Sequence, residues 1–335
     1  WKACIGKPIE GSNPSSSAQP LSNISCPYSE VMRVLVTGGA GYIGTHLLKI
    51  LASKGAQCFA IDNLSRGLAE RIGKDTHFEQ IDLTDSDSLT KYLKGRSFDA
   101  IFHLAGLMQA RESGREPKLY WKNNLEATQI LLRAIDSTNI GKFIFSSSCS
   151  VYGNNQNVSE SSELNPISIY AKSKLSAERE LQNYFKGTNN LTIFRFFNVI
   201  GCNESPFSCD IQRETLLPAT ARRLIEGNGP IIYGGSFDTS DGSSIRDYVD
   251  VRDLVNALVI PLETQLLGVH NIASNNPKST LEVVKTLLDI SKLTNRAIEI
   301  VSSKVEDPAI ITAQSSSALI NFGWNTNFSL THSIK

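Results

Sequence analysis

The segment TGGAGYIG, residues 37–44, decides the fold of this chain. It follows the apolar run 33–37 and opens a helical pattern, so Gly38, Gly41 and Gly44 stand at a strand–turn–helix junction. Gly38 permits a tight turn, Gly41 lets the backbone approach a pyrophosphate at the helix N-terminus, and Gly44 lets the helix pack closely on the strand. Three glycines alone are weak evidence, but in this context they predict a dinucleotide-binding unit.

Outward from this segment, short apolar strands alternate with longer helical periods. The predicted strands are 33–37, 58–62, 98–106, 142–148 and 191–198, and the predicted helices are 42–54, 86–94, 118–138 and 167–186. Such alternation indicates βαβ units and a parallel sheet that is buried on both faces. The predicted fold class is α/β, a doubly wound parallel (Rossmann) sheet with a smaller carboxyl-terminal α/β substrate domain.

The overall charge excludes several classes of partner. Lys and Arg number 33 and Asp and Glu number 33, so the net charge is zero and no basic bias points to nucleic acid. No apolar run approaches the ~18 residues that a membrane span needs. We therefore expect no nucleic-acid partner and no membrane association.

The cysteines are scattered and form no CxxC pair; they are Cys4, Cys26, Cys58, Cys149, Cys202 and Cys209. In a long chain this pattern favours free thiols in a reducing compartment, so we expect a cytoplasmic protein. Cys202 and Cys209 lie close together, but no second pair and no nearby His completes a ligand set. We therefore expect no metal site.

The residues that follow the predicted strands indicate which dinucleotide binds. Asp62 ends the second strand, and a carboxylate there accepts hydrogen bonds from ribose hydroxyls and repels a 2′-phosphate, which favours NAD over NADP. The alternatives are that Asp62 caps a turn and that Arg66 serves a phosphate. Further cofactor contacts are expected near the adenine at Asp82 and Leu83, and near the pyrophosphate and ribose at Leu104, Ala105 and Gly106.

A Ser–Tyr–Lys set follows further along the chain. Tyr170 and Lys174 stand four residues apart, so a helix places them on one face. A phenol with a pKa of ~10 is a poor base at neutral pH, but a nearby ammonium favours the phenolate and lowers that pKa. Such a pair is common by chance on a helix surface. Ser148, however, stands just beyond a strand end, where it can bridge a substrate hydroxyl and the Tyr oxygen. His103 is expected to pack within its strand.

Over about residues 32–330 this combination resembles the extended short-chain dehydrogenases/reductases, and within them the UDP-glucose (UDP-galactose) 4-epimerase family. The segments that carry the resemblance are MRVLVTGGAGYIG (32–44), IDN (61–63), FHLAGL (102–107), SSSCSVYG (146–153), YAKSKLSAE (170–178), RFFN (195–198) and DGSSIRDYVDVRDL (241–254). The last segment discriminates best, because it lies far from the generic NAD motif.

The resemblance implies a self-contained redox cycle. Tyr170 would remove the proton from the sugar O4–H while hydride leaves C4 for NAD, and the 4-keto sugar would turn over before hydride returns. Ser148 would orient O4, and Lys174 would hold both the Tyr170 phenolate and the nicotinamide ribose. It also implies a homodimer formed through the helices 118–138 and 167–186.

The resemblance implies further contacts to both ligands. The additional NAD contacts are Tyr42, Ile43, Asn63, Asn123 and Phe197. The UDP-sugar contacts, besides Ser148 and Tyr170, are Asn198, Thr215, Leu216, Ile231, Tyr233, Arg246, Lys304 and Asp307. Among these, Arg246 would pair with the diphosphate, a task suited to a fixed guanidinium fork.

Several residues depart from the family pattern and leave the sugar open. Met108 and Thr215 stand where the family often has Lys and Asn, and Lys304 and Ile311 replace an Arg and an aromatic residue. The alternatives are a C4 epimerase of a uronic, N-acetylated or pentose UDP-sugar, and a catalytically impaired NAD-binding homologue. A 4,6-dehydratase or decarboxylase would need an added acid before VYG, where this chain has Cys149 and Ser150.

Three regions are expected along the chain. Residues 1–31 are rich in Ser, Pro, Gly and Asn and lack the apolar core of a secretory signal, so we expect a disordered leader or non-native extension. Residues 32–200 are predicted to form the NAD-binding Rossmann domain with the Ser, Tyr and Lys. Residues 201–335 are predicted to form most of the UDP-sugar-binding domain, with interleaved segments. The chain ends at Lys335, and we expect the family's last helix to be missing.

Overall fold

The computed structural model describes residues 31–135, 140–202, 214–302, 307–314 and 317–335. Residues 32–335 form one compact unit. The predicted leader, except for Val31, lies outside the described residues. Within the described ranges, no helix combines the length and apolar character needed to cross a membrane.

The strands and helices follow the predicted alternation. The strands are β1 (Arg33–Thr37), β2 (Gln57–Asp62), β3 (His77–Gln80), β4 (Phe98–His103), β5 (Ile140–Ser148), β6 (Asn155–Val158), β7 (Leu191–Phe196), β8 (Asn198–Ile200), β9 (Ile231–Tyr233), β10 (Ile245–Arg246), β11 (Tyr248–Asp250), β12 (Gly268–Ile272), β13 (Lys278–Ser279), β14 (Glu299–Val301) and β15 (Ile310–Ala313). The α-helices are α1 (Tyr42–Ser53), α2 (Ser86–Leu93), α3 (Ala110–Arg115), α4 (Pro117–Trp121), α5 (Ala127–Ala134), α6 (Ile169–Tyr184), α7 (Leu216–Ile225), α8 (Val251–Leu258), α9 (Ile260–Glu263), α10 (Thr280–Ser291), α11 (Ser317–Asn321) and α12 (Leu330–Ile334).

A seven-stranded sheet in the order β12–β7–β5–β4–β1–β2–β3 forms the centre of the protein. Every neighbouring pair in it is parallel, which confirms the predicted α/β Rossmann class. The strand order reverses between β1 and β4, and ligands bind at such a switch point, at the carboxyl ends of the strands. The edge strand β12 comes from the carboxyl-terminal part of the chain and pairs with β7.

Helices cover both faces of the sheet, which explains why its strands read as continuous apolar runs. Along β1, Val34 and Val36 belong to a core cluster that includes α1 and α8. Leu35 points to the opposite face and joins a cluster that includes α2, α5 and α6. Because successive strand residues alternate between faces, a single five-residue strand contributes to both cores.

Smaller sheets lie beyond the carboxyl edge. One has the order β13–β10–β15–β6, and two pairs are formed by β8 with β11 and by β9 with β14. The short strands β10 and β11 carry the IRDYVD part of the discriminating segment, so hydrogen bonding to β15 and β8 fixes its position.

Three predicted elements differ from the structure, and the first is the strand predicted over 98–106, which ends at His103. The described part of the helix predicted over 118–138 consists of α4, a π-helical turn at Lys122–Glu126, and α5, which ends at Ala134. The strand predicted over 191–198 ends at Phe196, and Asn198 begins the separate strand β8. The spacing of apolar residues does not reveal the π turn or the break after Phe196, because both depend on backbone contacts made elsewhere in the fold.

Candidate active site

The glycine turn between β1 and α1 is closed by backbone contacts. Gly38 has a φ of +72°, and a Cβ there would lie 2.7 Å from the backbone nitrogen of Ala105. A Cβ on Gly44 would lie 2.3 Å from the Gly38 carbonyl oxygen. Both positions therefore exclude a side chain, in agreement with the roles predicted for a tight turn and for close helix packing.

A cleft of about 120 Å³ opens at the switch point between β1 and β4. It brings together most of the residues predicted to contact the cofactor: Gly38, Gly41, Asp62, Asn63, Asp82, Leu83, Leu104, Ala105, Gly106 and Asn123. The cleft lining does not include the other predicted cofactor residues, which are Tyr42, Ile43, Gly44, Tyr170, Lys174 and Phe197. The Tyr42 hydroxyl donates instead to the Gly201 carbonyl, and Phe197 is 3% exposed.

Asp62 lies where β2 ends and has both carboxylate oxygens in use. One accepts the backbone N–H of Leu64 at 2.8 Å and the other that of Ala40 at 3.1 Å. Burial raises the pKa of this carboxyl despite these two donors. Arg66, the residue that would suit a 2′-phosphate, lines the same cleft and is ion-paired with Glu112. Because the Arg66 charge is paired with Glu112, the Asp62 carboxylate is left, among the residues that line the cleft, without a neighbouring cation to offset it. This favours a ribose without a 2′-phosphate.

Adjacent asparagines in the π-helical turn have different surroundings. Asn123 lines the cleft, and its amide donates to the Leu119 carbonyl at 2.9 Å. Asn124 is 2% exposed, accepts the Leu107 N–H at 2.7 Å, and donates at 3.0 Å to both the Leu107 carbonyl and Ser173 Oγ. Asn124, which fixes the turn after β4, was not predicted from the sequence, because the Asn–Asn pair alone does not tell which side chain points inward.

Tyr170 and Lys174 lie in the first turns of α6, as predicted. Ser168 caps this helix by accepting the Ala171 N–H at 3.1 Å. The backbone N–H of Tyr170 donates to Ser113 Oγ at 3.1 Å, which ties α6 to α3.

Lys174 is buried beneath the cleft, with its amine directed towards Gly106. Its Nζ donates to the Ser146 carbonyl at 2.9 Å and lies 4.9 Å from the centre of the Phe145 ring. A Cβ on Gly106 would lie 3.2 Å from this Nζ. Burial lowers the pKa of Lys174 to about 8, although Glu178 acts to raise it.

Ser148 ends β5 and is 9% exposed. Its Oγ accepts the Ser150 N–H at 3.2 Å and the Ser150 hydroxyl at 2.9 Å. A hydroxyl has two acceptor sites and one hydrogen, so these contacts leave Ser148 its donor function. Ser150 occupies one of the positions where a dehydratase would carry an acid. In this chain it orients the Ser148 hydroxyl instead.

Arg246 is held by backbone oxygens at the other side of the site. Its guanidinium donates to the carbonyls of Ile245 at 2.8 Å, Ala309 at 3.2 Å and Pro308 at 2.5 Å. Asn198 is tied to the same segment, because its N–H donates to the Asp247 carbonyl at 3.0 Å. The structure therefore brings Arg246 and Asn198 together through the pairing of β8 and β11.

The remaining predicted substrate residues that the structure describes lie at the start of α7, in β9 and before β15. Thr215 precedes Leu216, the first residue of α7, while Ile231 and Tyr233 are the ends of β9. Lys304 lies outside the described residues.

Arg111, which was not predicted as a site residue from the sequence, connects Tyr233 and Asp307. The Arg111 guanidinium lies 3.8 Å from the centre of the Tyr233 ring and 3.8 Å from Asp307 Oδ2.

The prediction of free thiols holds for Cys58 and Cys149 and is wrong for Cys202. Cys58 and Cys149 are free and buried, and burial raises the pKa of the Cys149 thiol to about 12. Cys202 is disulfide-bonded. Cysteine spacing does not reveal which sulfurs the fold brings within bonding distance. Within the described part of the chain, no group of three or more His, Cys, Asp or Glu side chains is arranged to hold a metal ion.

Residues 34–274, which contain the glycine turn, Ser148, Tyr170, Lys174 and Arg246, match the NAD dependent epimerase/dehydratase family. The chain is similar to the UDP-glucose 4-epimerase of Rhizobium meliloti, at 34% identity over 307 residues that cover 89% of this chain and 93% of that protein. Similarity to the UDP-glucose 4-epimerase of Lactobacillus helveticus is 32% over 303 residues, which cover 88% and 92%.

Solved structures give the same result. The UDP-glucose 4-epimerase of Bifidobacterium longum in complex with NAD+ and UDP is 27% identical, with a TM-score of 0.83, and the match covers 90% of this chain and 96% of that chain. The UDP-N-acetylglucosamine 4-epimerase of Methanobrevibacter ruminantium in complex with UDP-N-acetylmuramic acid is 29% identical, with a TM-score of 0.77 and coverage of 91% and 97%. The chain is therefore an enzyme of the NAD dependent epimerase/dehydratase family, with NAD as its cofactor.

Proposed function

We propose that this enzyme catalyses the NAD-dependent 4-epimerisation of a UDP-sugar, UDP-glucose or UDP-galactose, through a transient 4-keto intermediate. One observation carries the proposal: the buried amine of Lys174 lies beside Gly106 at the dinucleotide cleft, one helical turn from Tyr170. The similarity to UDP-glucose 4-epimerases along about nine-tenths of the chain supports it.

The residues around the cleft fit NAD. The glycine turn leaves backbone room for a pyrophosphate, Asp62 suits ribose hydroxyls, and Lys174 lies beside the turn that would receive the nicotinamide ribose. When bound, NAD supplies the redox chemistry by accepting hydride from the sugar C4 and returning it to the opposite face.

Tyr170, Lys174 and Ser148 would move the proton and hold the reacting oxygen. The Tyr170 phenolate would take the proton from O4–H in the oxidation and give it back in the reduction. The Lys174 ammonium stabilises the phenolate by its charge. The Ser148 hydroxyl, whose acceptor sites are occupied by Ser150, would donate to O4 and to the keto oxygen that replaces it.

The second half of the site would bind the UDP moiety. We assign the diphosphate to Arg246, the base to Ile231 and Tyr233, and a further contact with the UDP moiety to Asp307. Sugar and phosphate contacts are assigned to Asn198, Thr215, Leu216 and Lys304. Arg246 supports this assignment best, because its three carbonyl contacts fix a guanidinium in one orientation without neutralising its charge.

A C4 epimerase for a different UDP-sugar is the second candidate. It is favoured by Ile311, which replaces a family aromatic residue and packs with Cys149 and Phe197 in one buried cluster. The similarity to a UDP-N-acetylglucosamine 4-epimerase supports the same alternative. Dehydration is disfavoured, because the thiol at Cys149 has a pKa raised to about 12 by burial and is a poor acid.

We further propose that the enzyme is a homodimer that associates through α4, α5 and α6, and that it is cytoplasmic, a location that the free thiols of Cys58 and Cys149 favour. A surface groove along the π turn and α5 is lined by the half-buried side chains of Trp121 and Leu125 and by charged residues, including Lys118 and Arg133. Apolar side chains in a charged rim suit contact with a second copy. Light scattering that gives the mass of a monomer at micromolar concentration would refute the dimer.

The test of function is a product analysis. The purified protein is incubated with UDP-galactose, UDP-glucuronic acid and UDP-N-acetylgalactosamine in turn, without added NAD, and the products are resolved. One 4-epimer establishes epimerisation, identifies the sugar class and shows that NAD is retained through purification. If no product forms with any of them even after NAD is added, the proposed epimerase activity on these sugars is wrong.

A further inference from the structure

We propose that Arg111 is a second phosphate-binding arginine, which moves from the ring of Tyr233 onto the diphosphate when the base of a nucleoside diphosphate binds. This inference rests on the proposed UDP-sugar function and deepens it. Arg111 lies three positions after Met108 and belongs to none of the motifs quoted above.

The backbone of Arg111 is anchored beside the catalytic helix. It lies in the first turn of α3, two residues before Ser113, whose Oγ accepts the Tyr170 N–H at 3.1 Å. Its guanidinium nevertheless contacts Tyr233 at the end of β9 and Asp307 before β15. One side chain therefore extends from α3, which is hydrogen-bonded to the helix that carries Tyr170, to two residues assigned to the UDP moiety.

The hydrogen-bonding capacity of Arg111 is largely unused by these contacts. The separation of 3.8 Å between Nη2 and Asp307 Oδ2 exceeds the 2.7–3.2 Å of a normal N–H···O bond. The Arg111 side chain is 39% exposed. By contrast, Arg246 already donates to three backbone carbonyls. Arg111 thus offers a planar fork of donors to an anion, which suits a phosphate oxygen.

The contact with Tyr233 implies that the guanidinium moves. A guanidinium carbon 3.8 Å from a ring centre is in stacking contact, and a base that stacks on the same face needs the same volume. When a base takes this face, Arg111 must leave it. The diphosphate attached to that nucleoside then offers a doubly charged acceptor within reach of the released side chain.

The experiment is calorimetric titration of the NAD-loaded enzyme with UDP and with uridine. We compare the wild type with Arg111→Ala, Arg111→Lys and the control Arg115→Ala, which removes an exposed arginine from the same helix. Charge-assisted hydrogen bonds predict that Arg111→Ala weakens UDP binding about 10- to 100-fold, while Arg111→Lys loses less. Uridine, which lacks phosphate, should bind Arg111→Ala at least as tightly as wild type, because the ring face of Tyr233 is open.

Steady-state kinetics give the second readout. Arg111→Ala should raise KM by the same factor for every UDP-sugar that is turned over, with kcat and NAD content little changed. The inference is overturned if UDP binds Arg111→Ala as tightly as wild type, or if the loss is equal for uridine and UDP. A larger defect for UDP-glucuronic acid than for UDP would assign Arg111 to the sugar carboxylate and also overturn it. If wild-type enzyme binds no UDP, both the inference and the proposed function fail; intact wild-type binding with an unaffected variant refutes the inference alone.

Discussion

The amine of Lys174 donates a hydrogen bond to the backbone carbonyl of Ser146, with 2.9 Å between Nζ and O. This contact holds the amine near the carboxyl end of β5, beside Gly106 and away from bulk water. A side chain that is 5% exposed in this position loses hydration of its charged form. Its protonation therefore becomes sensitive to pH in the range where the enzyme would work.

We expect turnover to fall as the pH rises through about 8, because burial lowers the pKa of Lys174 to about 8. The protonated amine is the form that stabilises the Tyr170 phenolate, so activity is present below this pKa and is lost above it. The measurement is kcat between pH 6 and 10. A rate that stays constant up to pH 9.5 would show that the charge of Lys174 is not required.

Replacing Tyr170 by Phe should lower kcat by about 100- to 10,000-fold, the usual contribution of a positioned acid or base. NAD content should be retained, because the ring and the helix stay in place. Tyr184→Phe is the matched control, since Tyr184 ends the same helix and its hydroxyl donates only to the Ile135 carbonyl among the contacts described. Substantial turnover by Tyr170→Phe would rule out Tyr170 as the base.

Asn124→Ala should cost about 1–3 kcal/mol of unfolding free energy, because it leaves the buried Leu107 N–H without its acceptor. It should also release NAD, since the turn after β4 loses its support. Asn123→Ala is the matched control on the adjacent position and should leave the urea midpoint nearly unchanged. An equal loss of stability in both variants would contradict the role of Asn124 in supporting the turn after β4.

The ion pair of Arg195 and Glu178 should contribute to both stability and pH response. Both side chains are nearly fully buried and are joined by bonds of 2.7 and 3.0 Å. Glu178→Gln should cost about 3–5 kcal/mol, because it leaves a buried cation without its partner. Glu263→Gln, in the exposed pair with Lys54, should cost at most about 1 kcal/mol. Denaturant midpoints compare the two.

Glu178→Gln should also change the pH dependence of kcat. Glu178 acts to raise the pKa of Lys174, so Glu178→Gln should move the alkaline loss of kcat to a lower pH. A purely structural role for Glu178 would leave that midpoint unchanged in the fraction of enzyme that remains folded.

His103 should make the protein less stable in acid without affecting catalysis. Its ring bonds Thr37 at 2.7 Å and Thr128 at 2.9 Å, and burial lowers its pKa to about 3. Because an unfolded His protonates near pH 6.5, the unfolded state binds the extra proton, and stability falls as the pH drops below 6.5. His103→Gln should be less stable at pH 7.5 but lose less between pH 7.5 and 5. An equal loss in wild type and variant would refute this.

The local sequence pattern was sufficient to predict the parallel sheet and the close backbone contacts at Gly38 and Gly44. Apolar runs of five to nine residues separated by amphipathic helices have few solutions other than a parallel sheet. The i, i+4 spacing of Tyr170 and Lys174 also follows from helix geometry alone, and the strand placement of His103 explains why it packs between Thr37 and Thr128. These features depend on neighbours in the chain, so one sequence is enough to predict them.

The sequence by itself therefore determined the fold class, the NAD cofactor and the family, since each depends on short segments with a fixed period. Only the tertiary structure decided that Asn124 rather than Asn123 is buried, that Ser150 orients Ser148, and that Cys202 is disulfide-bonded. It also decided that Arg111 reaches Tyr233, whose position in the chain is more than a hundred residues away. Such contacts depend on which segments meet in space, and spacing along the chain carries no information about that meeting.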